Sequence, residues 1–248
     1  MSRYSFIQFS GEIDDCGCCL ALPVSHGSDL AFFCRHIIIT EIHYCTPNGD
    51  TIKNVDNPRV VGSFLGYVFI FVELNDDLSL IFAKGDCFRL KILDERMNPY
   101  YSNLFTYIGC KEGETSVLKY RCDTDEFDFH YSLGDDLFNK IRLPLRIFNA
   151  QYPQEDEVYI TREGKRKVMF AKVDKEWELE TDYLPEEWHE KIIVALSHDV
   201  VYIDDERVQR TEPYQLDWDS VLETDCTDAI KGRAKVQQNK TVRNSNCG

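Results

Sequence analysis

The sequence predicts a mainly β protein of two β-sandwich domains, the second carrying one α-helix packed on a sheet. Three observations lead there. Short runs rich in β-branched and aromatic residues recur along the chain, turn residues separate them, and a single segment shows a helical period. The 248 residues have room for one large all-β domain or for two of about 120 residues each. The least apolar stretch between strand clusters places a boundary near Gly134-Asp135-Asp136, giving domains 1–134 and 135–248.

In chain order, the first strands are expected at 4–9 (YSFIQF), 32–45 (FFCRHIIITEIHYC), 67–74 (YVFIFVEL), 78–83 (LSLIFA), 87–93 (CFRLKIL) and 104–110 (LFTYIGC). Further runs follow at 116–122, 127–132, 140–148, 157–162, 167–173 and 177–183, and then at 200–205, 214–218 and 234–243. Many short strands at this spacing suit sandwiches or barrels. The punctuation agrees: Asn48-Gly49, Asn75-Asp76-Asp77 and Lys84-Gly85-Asp86 are turn sequences, and Glu163-Gly164 sits inside the hairpin YITREGKRKVMFAKV. Asp204-Asp205 is a weaker turn signal than Asn-Gly or Asp-Gly.

The helix is expected over 185–199 (PEEWHEKIIVALSHD). Pro185 suits the first helical position, where its missing N–H is no loss, and Glu186 and Glu187 complement the positive end of the dipole. Leu184, Trp188, Ile192 and Leu196 recur every fourth residue, so one face packs on a sheet, and Glu187 is placed to pair with Lys191.

Hydrophobic residues make up 43% and charged residues 29%, the balance of a folded soluble chain. The longest apolar stretch, 60–74, is interrupted by Gly62, Ser63 and Gly66 and is too short to span a bilayer, so no membrane partner is expected. The first residues show no basic region followed by an apolar run and cleavage site, so Sec export is not expected. The net charge of −15 opposes phosphate binding, which draws on cations releasing counterions. An acidic surface still suits DNA that must slide past without sticking.

Ten cysteines stand at 16, 18, 19, 34, 45, 87, 110, 122, 226 and 247, and reduced thiols are the simpler reading. In DCGCCL (15–20), Cys16, Cys18 and Cys19 lack the spacing of a zinc knuckle, and packing as small apolar side chains is favoured. Cys34, His36, His43 and Cys45 are zinc-type ligands, but in one long strand the first pair faces opposite to the second. No G-x-S-x-G, Walker A, G-x-G-x-x-G or H-E-x-x-H motif occurs. His189 has no second histidine four residues on, and the acid runs 155–157, 186–187 and 204–206 read as solvated faces. The sequence therefore assigns no catalytic, cofactor-binding or metal-binding residue, and a non-enzymatic role is expected.

Several stretches carry a resemblance: KIRLPLRIFNAQYPQEDEVYI (140–160), REGKRKVMFAKVDKEWELETDYLPEEWHEKIIVALSHDVVYIDDERV (162–208), the terminal RNSNCG, and CFRLKILDERMNPYYSNLFTYIGC (87–110). Together they cover about two fifths of the chain. By these the chain resembles structural proteins of the neck and tail of bacteriophages and prophages of gut Bacteroidales, including crAss-like phages. The resemblance implies jelly-roll-like β domains, assembly in the bacterial host cytoplasm and a place in the virion. It also implies a homo-oligomeric ring, twelvefold in a neck, that touches other neck or tail proteins while the genome passes through its lumen. Ring contacts are expected at the helix face opposite Trp188, at the 161–167 hairpin and in the basic tail 231–248, read as a strand or an arm. The alternative is a carbohydrate-binding adhesion module of a phage tail, for which the aromatics, including Trp177, Trp188 and Trp218, speak. A glycan hydrolase is a further rival without a nameable acid pair.

Overall fold

The computed structural model describes residues 4–13, 21–25, 30–35, 38–56, 58–61, 69–74, 76–109, 115–223 and 228–238. The protein is mainly β with one α-helix. The first strands are β1 Phe9–Ser10, β2 Leu22–Ser25, β3 Ala31–Arg35, β4 Ile39–Cys45, β5 Thr51–Asn54, β6 Arg59–Val61 and β7 Phe69–Glu73. They are followed by β8 Cys87–Asp94, β9 Pro99–Ser102, β10 Phe105–Gly109, β11 Ser116–Arg121, β12 Asn139–Leu143, β13 Leu145–Gln151 and β14 Gln154–Ile160. The last are β15 Arg166–Val173, β16 Glu176–Thr181, β17 Leu184–Pro185, β18 Val200–Ile203, β19 Glu206–Arg210, β20 Gln215–Leu222 and β21 Ala229–Gln238, with α1 Glu186–Ala195 between β17 and β18.

Two large sheets share one core. In the smaller, β8 pairs with β4 along one edge and with β9 and β10 in succession along the other; β5, β1 and β2 extend it. The larger runs β13-β16-β21-β19-β18-β11-β12-β3-β7-β6, with β17 and β20 also paired to β21. Tyr44, Phe88 and Phe105 of the first and Phe32, Leu118 and Ile141 of the second belong to one continuous buried cluster. The larger sheet crosses the boundary expected near residue 134: β11 lies between β12 and β18, both from beyond it.

Several elements differ from the sequence reading. The run 32–45 is two strands in different sheets, β3 and β4, and changing sheets lets Phe32 and Cys34 as well as Ile42 and Tyr44 bury in the shared core. Residues 78–83 do not form a strand. Asp77 accepts hydrogen bonds from the Ser79 amide at 2.9 Å and its hydroxyl at 2.6 Å, capping a 3-10 turn at Leu78–Leu80. Residues 127–132 fail as a strand because Phe127 and Asp128 both adopt positive φ (53° and 62°), yet Phe129 and Tyr131 are buried, so the alternation marked a buried loop. The run 140–148 is divided at Pro144, which supplies no amide to a ladder, into β12 on β11 and β13 on β16. The tail segment 231–238 is part of β21, inside the sheet, while 239–248 lies outside the described residues.

The helix buries the face expected of it, but it ends at Ala195 with Leu196 as its C-cap, short of the expected 199. Leu184, Trp188, Ile192 and Leu196 are buried, and the Lys191 ammonium lies 2.6 Å from a Glu187 carboxylate oxygen. Pro185 is one place earlier than expected, extended at the N-cap, with Glu186 and Glu187 in the first turn.

The β18–β19 hairpin turns on Asp204 and Asp205 alone, with φ of 48° and 68°, the pair of left-handed residues that a type I′ turn needs. Asp204 makes this sequence work: its amide donates to Val117 O and its carboxylate accepts from Val117 N, each at 3.0 Å, so the turn also extends pairing with β11. Asp205 has no such bond in the described network and retains the steric cost of the left-handed region. Asp205→Gly is expected to raise stability by about 1 kcal/mol in chemical denaturation, whereas Asp204→Gly, which removes the carboxylate bond, gains nothing or loses.

Candidate functional site

The strand β21 organises this end of the molecule. Its 233–237 stretch pairs with β16, while β19 and β20 follow one another along its other edge. Tyr214, just before β20, lies flat over Gly232 of β21, where a Cβ would overlap the phenol ring. The ring is held there by a buried chain of bonds. His189 of α1 donates from Nε2 to Ile230 O at 2.8 Å, which leaves Nδ1 to accept from the Tyr214 hydroxyl at 2.7 Å. The Gly232 amide donates to Thr181 Oγ1 at 2.8 Å. Helix, sheet and the start of β20 are thereby locked together.

From the opposite end of β21 a ribbon leaves the sheet. β13 and β16 pair antiparallel, and beyond Gln151 and Glu176 the same two chain segments continue as β14 and β15. Among the described residues β14 and β15 pair only with each other. Seven residues at strand rise carry this arm about 20 Å past the sheet. Bulges at 148–151, where Asn149 has φ 51°, and at 157–158 twist it. Its turn is closed by Thr161 N to Lys165 O and Gly164 N to Thr161 O, both 2.9 Å, with Gly164 supplying φ +77°. Near the tip Val158, Tyr159 and Ile160 are exposed, as is Tyr152 near the base. An isolated two-stranded hairpin is marginal in water, and this one leaves its apolar tip residues uncovered in the single chain.

The second notable surface is β20. Among the described residues it pairs only with β21, so its other edge is open. Between Asp217, opposite Lys231, and Leu222, opposite Ala229, residues 218–221 face a single position of β21 and bow outward. Trp218 is 59% exposed, and Val221 and Leu222 are exposed beside it. The segment 211–230 holds Glu212, Asp217, Asp219, Glu223, Asp225 and Asp228 and no Lys or Arg. Glu212 pairs with Lys235 at 2.7 Å and Asp217 with Arg233 at 3.5 Å.

A third feature is a row across the outer face of the larger sheet, Tyr202, Lys119, Lys140, Ala31, Glu73 and Arg59, each opposite the next on neighbouring strands. Lys119 sits 4.3 Å from the centre of the Phe138 ring, and Arg59 is met by Asp136 at 2.8 Å and Glu73 at 3.6 Å. The cations here are countered locally, which suits a structural charge row.

Of the surfaces expected from the sequence, the 161–167 hairpin is the tip of the arm, and the outer helix face presents Glu186, Glu187 and Glu190. Cys34 lies in β3 and His43 and Cys45 in β4, in different sheets, with His36 outside the described residues. His43 Nδ1 is 2.6 Å from Asn54 Oδ1, and a Glu41 oxygen stands 2.9 Å from Nε2. Cys34, Cys45, Cys87 and Cys122 are free thiols; burial pushes Cys34 well up and Cys122 to about 11. The DCGCCL segment (15–20) lies outside the described residues. Among the described residues no three His, Cys, Asp or Glu side chains gather to hold a metal ion. Among the described residues no helix is long and apolar enough to cross a membrane. The β20 edge went unseen in sequence as a surface. Its one signal was Trp218 and Val221-Leu222 within an all-acidic stretch.

No known protein family matches the chain, and no curated protein is similar to it.

Proposed function

We propose that this chain is a structural subunit of a bacteriophage neck or tail, forming a ring around the DNA exit path and joining adjacent virion layers. The observation that carries the reading is the β14–β15 arm, which stands clear of the sheet with an apolar tip. Such an element gains stability from a neighbour that covers it. The resemblance of residues 87–110, 140–160 and 162–208 to Bacteroidales phage neck and tail proteins supplies the setting: assembly in the host cytoplasm, contacts with other neck or tail proteins, and twelvefold symmetry in a neck. The net charge of −15 suits a lumen along which DNA slides without adhering.

Antibody labelling of intact virions, with mass spectrometry of the purified particles, tests this. The expected result is the chain among the virion proteins and label at the neck or tail. A chain confined to the lysate and missing from purified virions would refute it.

A second reading, a carbohydrate-binding adhesion module of a phage tail, is favoured by the exposed rings of Tyr152, Tyr159 and Trp218. It expects glycan-array binding that disappears in Trp218→Ala.

A further inference from the structure

The arm and the β20 edge are complementary surfaces that one chain does not bring together. The arm tip 161–167 holds Arg162, Lys165, Arg166 and Lys167 against Glu163 alone, a basic patch on an acidic protein. The 211–230 segment is acidic throughout. Both are apolar at their centres: Val158, Tyr159 and Ile160 on the arm, Trp218, Val221 and Leu222 on the edge. They also lie at opposite ends of β21. The arm departs where Gln238 N donates to Lys175 O at 2.8 Å, whereas the bowed part of β20 lies beside Ala229 and Lys231. Ten residues of extended strand separate those ends by about 30 Å, and the arm points away from its own β20.

We infer that the β14–β15 arm of one chain docks against the β20 edge of a second copy, head to tail. The arm's apolar tip covers Trp218, Val221 and Leu222, and its cations meet Asp219 and Glu223. A contact between two different patches of identical chains is heterologous: repetition closes it into a ring or extends it into a filament. The open β20 edge, whose backbone groups have no strand beyond them among the described residues, offers the arm a strand to pair with. This names the contact behind the proposed ring and rests on that reading only for closure.

The test uses two full-length variants altered at exposed positions only, Tyr159→Ser with Ile160→Ser on the arm and Trp218→Ser with Val221→Ser on the edge. Analytical ultracentrifugation at low and high salt follows each alone and in equal mixture. The expected result is assembly of the unaltered chain that weakens with salt, and a loss on the order of tenfold or more in association for each variant alone. The mixture should give two-chain complexes and nothing larger, because one intact arm meets one intact edge and the remaining patches are both defective. Variants that assemble like the unaltered chain would overturn the arm-to-edge contact while leaving the ring to another surface. An unaltered chain that never associates would overturn both. Salt-sensitive filaments that obey the mixing rule would support the contact and count against the closed ring.

Discussion

Gly232→Ala is expected to cost about 3 kcal/mol and to lower the melting temperature by about 6–12 °C. Tyr214 lies where the new methyl group must go, its Cε1 2.7 Å from an ideal Cβ and its hydroxyl closer still. The ring is no loose end, since its hydroxyl donates at 2.7 Å to Nδ1 of the buried His189. Moving the phenol aside leaves His189 with an unmet acceptor and opens the pocket it fills, and each loss alone is about 1–3 kcal/mol. Tyr214→Phe separates the terms: it keeps the packing and removes the hydroxyl, so it should cost about half as much. Differential scanning calorimetry of the two variants decides it; a Gly232→Ala protein as stable as the parent would mean that Tyr214 does not rest on that glycine.

Acid should weaken the fold well above the range in which carboxylates protonate. His189 and His198 are both buried, and burial pushes each imidazole below its ordinary value of 6.5, against the smaller opposing pull of backbone carbonyls (Ile230 for His189, Val194 for His198) and of Glu186 on one and Glu126 and Asp199 on the other. His198 donates from Nδ1 to Val194 O at 2.7 Å, while its Nε2 has no partner and faces the rings of Tyr120, Phe127, Phe129 and Tyr131. At His189 a proton on Nδ1 would displace the Tyr214 donor. The unfolded chain therefore binds protons on these residues before the folded one does. Their stabilisation is fully present above the unfolded value of about 6.5 and is lost as pH falls through it towards the depressed folded values. Urea titrations from pH 7 downwards, repeated with His198→Phe, should show a smaller pH dependence in the variant. An unchanged slope would mean that His198 does not contribute to the acid sensitivity.

The helix was legible to the level of single contacts, because the residues that decide it are close in sequence. Leu184, Trp188, Ile192 and Leu196 form the buried face, and Glu187 reaches Lys191 one turn away. The arm was legible for the same reason, from its Glu163-Gly164 turn and the runs beside it. What a local reading missed depended on distant partners. Phe129 and Tyr131 alternate as strand residues do, but they descend from a left-handed turn into the core. The 32–45 run was one apolar stretch until the two sheets claimed its halves. The β20 edge becomes a surface only because β21, from the end of the described chain, pairs with β16 and β20 at different heights and sets the arm and Trp218 at opposite ends. No pattern within either segment carries that relation.

The central claim is that copies of this chain bind one another in a closing head-to-tail series. Multi-angle scattering of the purified full-length chain over a range of concentrations, followed by electron-microscopic class averages, tests it most directly. Multimers of uniform size that average to closed rings are expected. A mass of one chain at every concentration would contradict it.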